Sequence, residues 1–229
     1  MPKQIFISGA SKGIGLAIAE RFLAGGFEVA ISASTEASLA AVRASHPQIR
    51  GFRADMAVKA EVLALAAWIE TELGPLDVLV NNVGRFSPGA IHSESDEAFE
   101  MMMNTNVFSN YYLSKRLLPA MMARKSGTVF NICSIASIMA YANGGAYSIS
   151  KHALLGFSKV LREEMKPHGI RVVSVLPGAT LTASWAGVDL PPERFMPAED
   201  VAAVVWDTYQ LSPRTVVEEI LLRPQLGDL

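Results

Sequence analysis

Cysteine is almost absent from this chain. Cys133 is the sole cysteine among 229 residues, which excludes an internal disulfide and a cysteine-based zinc site. The four histidines are scattered without the spacing of metal ligands, at His46, His92, His152 and His168. The sequence therefore predicts neither a disulfide framework nor a metal site.

A strong charge of either sign and a long apolar run are also missing. Twenty basic and 22 acidic residues are interspersed and give a net charge of −2, without the basic stripe of a nucleic-acid-binding protein. No stretch reaches the roughly 18 uncharged apolar residues of a membrane span. The N-terminal "MPKQIFISGA" has too short an apolar run for a secretory signal. We therefore expect a soluble, cytoplasmic protein that binds neither nucleic acid nor membrane.

Hydrophobic residues, in contrast, make up 50% of the chain, which is enough for one substantial core. Strands are predicted at 4–8, 28–33, 49–53, 76–80, 127–132, 170–176 and 216–221. Helices are predicted at 14–24, 36–45, 58–73, 96–124, 146–166 and 198–210. Strands that alternate with helices of this length indicate βαβ units. The expected fold class is α/β: a single Rossmann-type doubly wound domain over 1–229, with a seven-stranded parallel sheet flanked by helices on both faces.

A glycine-rich turn, "ISGASKGIGLAIAE", joins the first predicted strand to the first helix. Gly9, Gly13 and Gly15 are spaced G-x-x-x-G-x-G instead of the common G-x-G-x-x-G. Glycines let the backbone turn tightly and let a pyrophosphate approach the N–H groups at a helix start, where the helix dipole favours an anion. Such a turn can also be purely structural, so it does not by itself establish a dinucleotide-binding site.

Tyr147 and Lys151 lie four residues apart at the start of a predicted helix, in "GGAYSISKHALLGF". Positions i and i+4 share one face of a helix, so the phenol and the ammonium can converge beside it. A chance pair on an exposed helix has the same spacing. The function of the pair therefore depends on its context.

Five segments, in order, resemble the short-chain dehydrogenase/reductase family, and the resemblance covers nearly the whole chain. They are the glycine turn, "NNVG" (81–84), "NTNVFSNYYLSK" (104–115), "FNICSIAS" (130–137) with the pair that follows it, and "VLPGAT" (175–180). The departures from the family pattern are mild: Ser8, Val83 and Ser137 stand where threonine, alanine and glycine are more usual. The C-terminal part looks similar to sepiapterin-reductase-like members but lacks a longer extension, and 3-ketoacyl-reductase-like members are an equal match.

The resemblance implies an enzyme that reduces a carbonyl to an alcohol by hydride transfer, with Tyr147 as proton donor. Ser134 would orient the carbonyl and stabilise developing charge. Lys151 would lower the phenol pKa from ~10 and hold the nicotinamide ribose. Asn106 would position a water linking Lys151 to solvent, or would satisfy irregular helix backbone as a buried amide. Cys133 is expected in the core, since the strand period sends it to the face opposite Ser134.

The choice of cofactor depends on the end of the second predicted strand, "ISASTE". An acid there usually binds the adenosine ribose hydroxyls and repels a 2′-phosphate. Ala33 and Ser34 occupy that place, while Glu36 comes later, in the next helix. Lys12 adds a positive charge from the glycine turn, so NADP(H) is favoured over NAD(H), although the family's usual arginine is missing. Asp55 resembles the aspartate that contacts adenine, with a helix N-cap as the alternative.

The resemblance thus implies a full set of site residues. The expected cofactor-binding residues are Gly9, Ser11, Lys12, Gly13, Ile14, Gly15, Ser34, Asp55, Met56, Asn82, Gly84, Tyr147, Lys151, Pro177, Gly178, Thr180 and Thr182. The expected substrate-binding residues are Phe86, Ile135, Tyr141 and Trp185, whose aromatic members could instead belong to the core. Segment 179–197 is expected to be a mobile loop over the site. The substrate class stays open among a small ketone, a dicarbonyl, a pterin side chain and a 3-ketoacyl group.

Three further expectations concern the whole molecule. Residues 1–125 should form the cofactor half, and 126–229 the catalytic and substrate half. The helical pattern at 99–122 is apolar around much of its circumference. In the family this helix and the one bearing Tyr147 pair with another subunit, so we expect a homodimer or homotetramer. The alternative function is a catalytically silent NADP(H)-binding sensor or regulatory protein, which need not keep all four catalytic residues.

Overall fold

A seven-stranded parallel sheet forms the centre of the computed structural model, which describes residues 2–185 and 187–229. The strands are β1 (Gln4–Ile7), β2 (Glu28–Ala33), β3 (Arg50–Arg53), β4 (Val78–Asn81), β5 (Gly127–Ile132), β6 (Ile170–Pro177) and β7 (Glu219–Leu222). The helices are α1 (Gly13–Ala24), α2 (Glu36–Ser45), α3 (Lys59–Glu72), α4 (Asp96–Met103), α5 (Ser109–Arg124), α6 (Gly145–Met165) and α7 (Ala198–Gln210). The strand order is β3-β2-β1-β4-β5-β6-β7, and every neighbouring pair is parallel. The doubly wound fold expected from the sequence is confirmed.

Two hydrophobic layers cover the sheet because successive strand residues face opposite sides. In β1, Ile5 and Ile7 pack with α1, α2 and α7, whereas Phe6 packs with α3, α5 and α6. The other central strands alternate in the same way. Burial on both faces explains why these strands read as continuous apolar runs.

The direction of winding changes between β1 and β4. The chain moves outward from β1 through β2 to β3, then returns to pair β4 with the other side of β1. In doubly wound sheets a crevice opens at this place, outside the carboxyl ends of the strands. The segments after β1, β4 and β5 all begin at that edge.

The structure corrects the helix expected at 96–124. A π-helical turn, Asn104–Phe108, divides it into α4 and α5. Side chains satisfy carbonyls at this widened turn: Ser109 Oγ donates to the Thr105 carbonyl at 2.6 Å, and Asn110 Nδ2 donates to the Asn106 carbonyl at 2.8 Å. The spacing of hydrophobic residues along the sequence does not show where one helical turn contains an extra residue.

The last strand also begins later than the sequence predicted. β7 starts at Glu219 instead of residue 216, because its pairing with β6 begins at the Ser174–Glu219 register. Val216 and Val217 pack against the hydrophobic layer without joining the sheet. Over the described residues, no helix has the length and apolarity needed to cross a membrane. The same residues hold no group of three or more His, Cys, Asp or Glu side chains arranged for a metal ion.

Candidate active site

The glycine turn after β1 fits a pyrophosphate because added side chains would have no place in it. Gly9 and Gly13 have φ of 61° and 58°, a backbone conformation that favours glycine. A Cβ at Gly15 would lie 2.5 Å from Asn82 Nδ2 and 2.8 Å from the Ala10 Cα. The backbone can therefore approach a ligand closely at the start of α1, where the helix dipole favours an anion.

Asn82 ties this turn to the end of β4. Its Nδ2 donates to the Ser8 carbonyl at 2.8 Å and to the Gly9 carbonyl at 3.0 Å. The Ser8 hydroxyl accepts from the backbone N–H groups of Asn82 and Val83, each at 3.0 Å. Serine thus bridges the two segments at the position where threonine is more usual in the family.

The segment after β6 passes over the glycine turn. Thr182 Cγ2 lies 3.1 Å from the place that a Cβ at Gly13 would take. Pro177 ends β6, the Gly178 N–H donates to the Leu222 carbonyl at 2.8 Å, and Thr180 Oγ1 donates to the Gly178 carbonyl at 3.0 Å. These residues of the expected cofactor set therefore lie at the carboxyl edge of the sheet, beside the turn.

Residues after β2 and β3 occupy the neighbouring part of that edge. Ser34 follows β2, and Glu36 is the first residue of α2, as expected. Asp55 follows β3, and its Oδ1 accepts from the Ala57 N–H at 3.0 Å, which closes a short turn. The alternative reading of Asp55 as a helix N-cap is wrong, because Val58 holds that position before α3. Met56, beside it, is buried.

The expected catalytic groups come from two adjacent elements. Ser134 ends the segment that leaves β5 and caps a 3-10 turn, Ile135–Ser137, where its Oγ accepts from the Ala136 N–H at 3.1 Å. Tyr147 and Lys151 lie in the first two turns of α6. Burial raises the pKa of the Tyr147 phenol, and a hydrogen bond with the Ser134 side chain offsets part of that rise. Serine, tyrosine and lysine therefore converge at one point.

Lys151 is a buried cation with an internal hydrogen bond. Its side chain reaches back under the site, and Nζ donates to the Ile132 carbonyl at 2.9 Å. Burial lowers the pKa of this ammonium to about 8. A Cβ at Gly84 would lie 3.1 Å from Nζ, so a side chain there would crowd the lysine.

The expected effect of Lys151 on the Tyr147 pKa is not found in the protein alone. Burial is the largest influence and raises the pKa of Tyr147, because a phenolate is disfavoured away from water. The Lys151 ammonium lies 5.9 Å from the centroid of the tyrosine ring and is already engaged by a carbonyl. Tyr147 therefore holds its proton at neutral pH, as a general acid must.

Asn106 lies fully buried in the π-helical turn. Its Oδ1 accepts from the Arg85 N–H at 2.7 Å, and its Nδ2 donates to the Arg85 carbonyl at 3.0 Å and to Ser150 Oγ at 2.9 Å. The amide is therefore buried, as the alternative reading expected, but it binds the Arg85 backbone and α6 instead of irregular helix backbone. The catalytic role of Asn106 stays an expectation.

Phe86 and Tyr141 flank the tyrosine, as expected of substrate contacts. The Phe86 ring meets Tyr147 edge to face, with centroids 4.9 Å apart. Tyr141 is 42% exposed, and the pKa of its phenol is raised by partial burial and by Tyr147. Ile135 is nearly buried, and Trp185 packs on Phe195 with centroids 5.2 Å apart. The alternative that an aromatic residue packs in the protein interior instead of binding substrate therefore fits Trp185 better than Phe86.

Sequence reasoning missed Glu94, which holds the start of α6. Both of its carboxylate oxygens accept from the Ala146 N–H, at 3.0 and 3.2 Å. A backbone bridge between Gly89 and Gly144 joins the same two segments. Glu94 precedes Ala146 by 52 residues and belongs to another segment, so no helix-capping spacing pointed to it.

Cys133 lies in the hydrophobic core next to the site. It is buried with Leu154, Leu155 and Leu176, and burial raises the pKa of its thiol to about 12. A thiol that keeps its proton is a poor nucleophile. The prediction that Cys133 belongs to the core is confirmed.

Known proteins resemble this chain over nearly its full length. The short chain dehydrogenase family model matches residues 3–191. A sepiapterin reductase from Chlorobaculum tepidum is 36% identical over 239 residues, covering 98% of this chain and 97% of that protein. A Streptomyces coelicolor protein assigned as a ketoacyl reductase is 35% identical over 188 residues, covering 80% of this chain and 72% of that protein. The crystal structure of a metagenomic short-chain oxidoreductase in complex with NADP superposes with a TM-score of 0.85 at 29% identity, covering 98% of each chain.

Proposed function

Since the chain belongs to the short-chain dehydrogenase family of oxidoreductases, we propose that it reduces a carbonyl to an alcohol with NADP(H), with Tyr147 as the proton donor. The observation that carries this proposal is the convergence of Ser134, Tyr147 and Lys151 beside the crevice after β5. Bound at the glycine turn, the nicotinamide cofactor supplies the hydride.

The protein side of the reaction is a proton transfer. Ser134 donates a hydrogen bond to the carbonyl oxygen and holds it near the Tyr147 hydroxyl. Tyr147 gives its proton to that oxygen as the alkoxide forms. Lys151 stabilises the resulting phenolate from beneath the site and would hold the nicotinamide ribose. Residues within 1–125 would hold most of the cofactor, and residues within 126–229 would supply the reacting side chains.

The preference for NADP(H) is supported by charge. The edge after β2 carries no carboxylate at Ala33 or Ser34, and Lys12 is exposed in the glycine turn. A 2′-phosphate is therefore not repelled there. Fluorescence titration should show tighter binding of NADPH than of NADH, and Lys12→Ala should weaken NADPH more than NADH. Equal binding of the two cofactors by the unaltered protein would end this part of the proposal.

For the substrate we propose a carbonyl on the short side chain of a pterin. The match to the sepiapterin reductase spans 97% of that protein, so the missing C-terminal extension does not separate the two chains. The ketoacyl reductase matches over a smaller part of its length. Phe86, at 41% exposure, and Tyr141 also offer aromatic surface beside Tyr147, which suits a planar heterocycle.

A panel of carbonyl substrates tests this choice. NADPH oxidation would be followed with sepiapterin, diacetyl and an acetoacetyl thioester, with Tyr147→Phe as the control for background. We expect the highest kcat/KM with sepiapterin. A higher kcat/KM with the thioester would contradict the pterin proposal and would indicate a 3-ketoacyl substrate. The comparisons do not support the alternative of a silent sensor, and tight NADPH binding without turnover of any substrate would be the result in its favour.

We also propose that the protein forms a homodimer or homotetramer through α4, α5 and α6. Phe99, Phe108 and Tyr111 are 39%, 42% and 44% exposed along the first two of these helices and the turn between them. Ile149 and Val160 on α6 are 41% and 59% exposed. Light scattering should give at least twice the 24.6 kDa of one chain. A monomer at micromolar concentration would contradict this.

A further inference from the structure

An arginine reaches the end of β2 from the neighbouring strand. β2 and β3 pair in parallel, with Ala33 opposite Arg53, the last residue of β3. Arg53 Nε donates to the Ser34 carbonyl at 3.2 Å. Its guanidinium therefore lies beside the two residues where the sequence lacked the cation of an NADP(H) site.

The guanidinium is held in place while still open to solvent. Nη1 donates to Glu61 Oε2 at 2.7 Å, and the Arg53 side chain is 44% exposed. The same Glu61 oxygen accepts from the Asp55 N–H at 2.6 Å. The glutamate thus fixes the arginine beside the segment expected to contact adenine.

A guanidinium suits a phosphate ester better than the surrounding hydroxyls do. It is planar, always charged, and presents five donors in a fork that matches phosphate oxygens. Contacts to Ser34 and Glu61 engage Nε and Nη1 and leave the exposed edge for a ligand. In doubly wound folds the adenosine ribose lies at the end of the second strand, and a nearby arginine can accommodate its 2′-phosphate.

We infer that Arg53 recognises the 2′-phosphate of NADP(H), and that Glu61 positions the guanidinium and competes with the phosphate for it. The inference deepens the proposed function and rests on its preference for NADP(H). It assigns the discriminating cation to β3, whereas Lys12 supplies charge from the glycine turn.

Arg50 provides a matched control within the same strand. It lies at the opposite end of β3, where its guanidinium approaches Glu28 at 3.6 Å and donates to the Glu72 carbonyl at 2.9 Å. Its side chain is 40% exposed, close to the value for Arg53. Arg50 therefore matches Arg53 in strand and exposure but lies at the opposite edge of the sheet.

Calorimetric titration with cofactor fragments isolates the phosphate without requiring turnover. The ligands are 2′,5′-ADP and 5′-AMP, which differ by the 2′-phosphate. Arg53→Ala should weaken 2′,5′-ADP by roughly tenfold or more, the scale of lost charge-assisted hydrogen bonds, and should leave 5′-AMP unchanged. Arg50→Ala should change neither. Circular dichroism of each variant checks that the fold is kept.

Glu61→Gln gives the second arm of the test. Removing the competing charge should tighten 2′,5′-ADP by roughly threefold, the size of an exposed ion pair, and the gain should vanish in the Arg53→Ala/Glu61→Gln double variant. If the unaltered protein prefers 2′,5′-ADP and Arg53→Ala matches Arg50→Ala, the assignment of Arg53 is overturned while the NADP(H) preference stands. If the unaltered protein shows no preference for 2′,5′-ADP, both fail.

Discussion

The two sides of the candidate site are built by opposite means. On the cofactor side, Gly9, Gly13 and Gly15 work by lacking side chains, and the backbone itself forms the cradle. On the catalytic side, Ser134 and Lys151 are 8% and 4% exposed and work through the atoms they carry. Adding atoms should therefore impair the cofactor side, whereas removing atoms should impair the catalytic side.

Lys151→Met should give the largest functional loss. The variant keeps the length of the side chain but removes the charge near Tyr147 and the proposed contact to the nicotinamide ribose. We expect kcat/KM to fall by roughly 10³-fold, within the range of lost proton-transfer catalysis, and NADPH binding to weaken as well. Steady-state kinetics and fluorescence titration measure the two losses. Normal cofactor affinity in the variant would show that Lys151 does not contact the nicotinamide ribose.

The same substitution should stabilise the protein without cofactor. Burial lowers the Lys151 pKa from 10.5 to about 8, so the unfolded chain binds the extra proton between those values. The raised pKa values of Cys133 and Tyr147 oppose this effect above about pH 9, but they act in both proteins. The unfolding free energy of the unaltered protein should therefore rise with pH relative to that of Lys151→Met across the interval. The variant should be more stable at neutral pH, by a margin that shrinks towards pH 10.5. Urea unfolding at several pH values measures this, and an equal pH dependence would contradict it.

Ser134→Ala should reduce turnover less than the lysine variant. It removes the hydroxyl that is proposed to orient the carbonyl, so kcat should fall by roughly 10²-fold. NADPH affinity should stay unchanged, because the proposed role of the serine is to contact the substrate. Ser137→Ala is a useful control, since Ser137 lies in the same turn and its Oγ accepts from the Ser134 N–H at 3.2 Å. An equal loss in the two variants would point to disruption of the turn.

Gly15→Ala tests the cofactor side by adding one methyl group. The new Cβ would lie 2.8 Å from the Ala10 Cα, so backbone must shift, and we expect a loss of about 1–3 kcal/mol in stability with weaker NADPH binding. Gly156→Ala in α6 is the matched control, because no atom lies within 4 Å of its Cβ position. That variant should gain about 0.5–1 kcal/mol from helix propensity. Thermal unfolding distinguishes the two, and a neutral Gly15→Ala would mean that the turn is looser than described.

Glu94→Ala should give the smallest effect. It leaves the Ala146 N–H without its carboxylate partner, at a cost of about 1 kcal/mol, as for a lost helix cap. Glu94→Gln retains an acceptor and should restore most of the stability. Glu100→Ala, in α4, serves as a control for removing an exposed negative charge. A loss in Glu100→Ala equal to that in Glu94→Ala would show that charge, not the contact, matters.

Much of the fold was predictable because it depends on patterns along the chain. The alternation of apolar runs with helical periods gave all seven strands and their parallel arrangement. The interruption after Met103 was not predictable, since the π-helical turn depends on hydrogen bonds from Asn110 and Ser109. The late start of β7 depends on its register with β6, which no local pattern encodes.

In the site, short-range features were predictable and cross-segment contacts were not. The spacing of Tyr147 and Lys151 placed both on one face of α6. The contacts of Arg53 and Glu94 were not predicted, because each residue acts on a segment distant in the sequence, through strand pairing or a long side chain. The sign of the Tyr147 pKa shift was also missed, since burial is not visible in a spacing.

The most direct test of the central claim is Tyr147→Phe measured with the best substrate of the panel. The change keeps the ring that packs against Phe86 and removes only the hydroxyl. NADPH affinity should survive, while kcat falls by roughly 10²-fold or more, the usual scale of lost general acid catalysis. Near-normal turnover in Tyr147→Phe would contradict the assignment of Tyr147 as the proton donor.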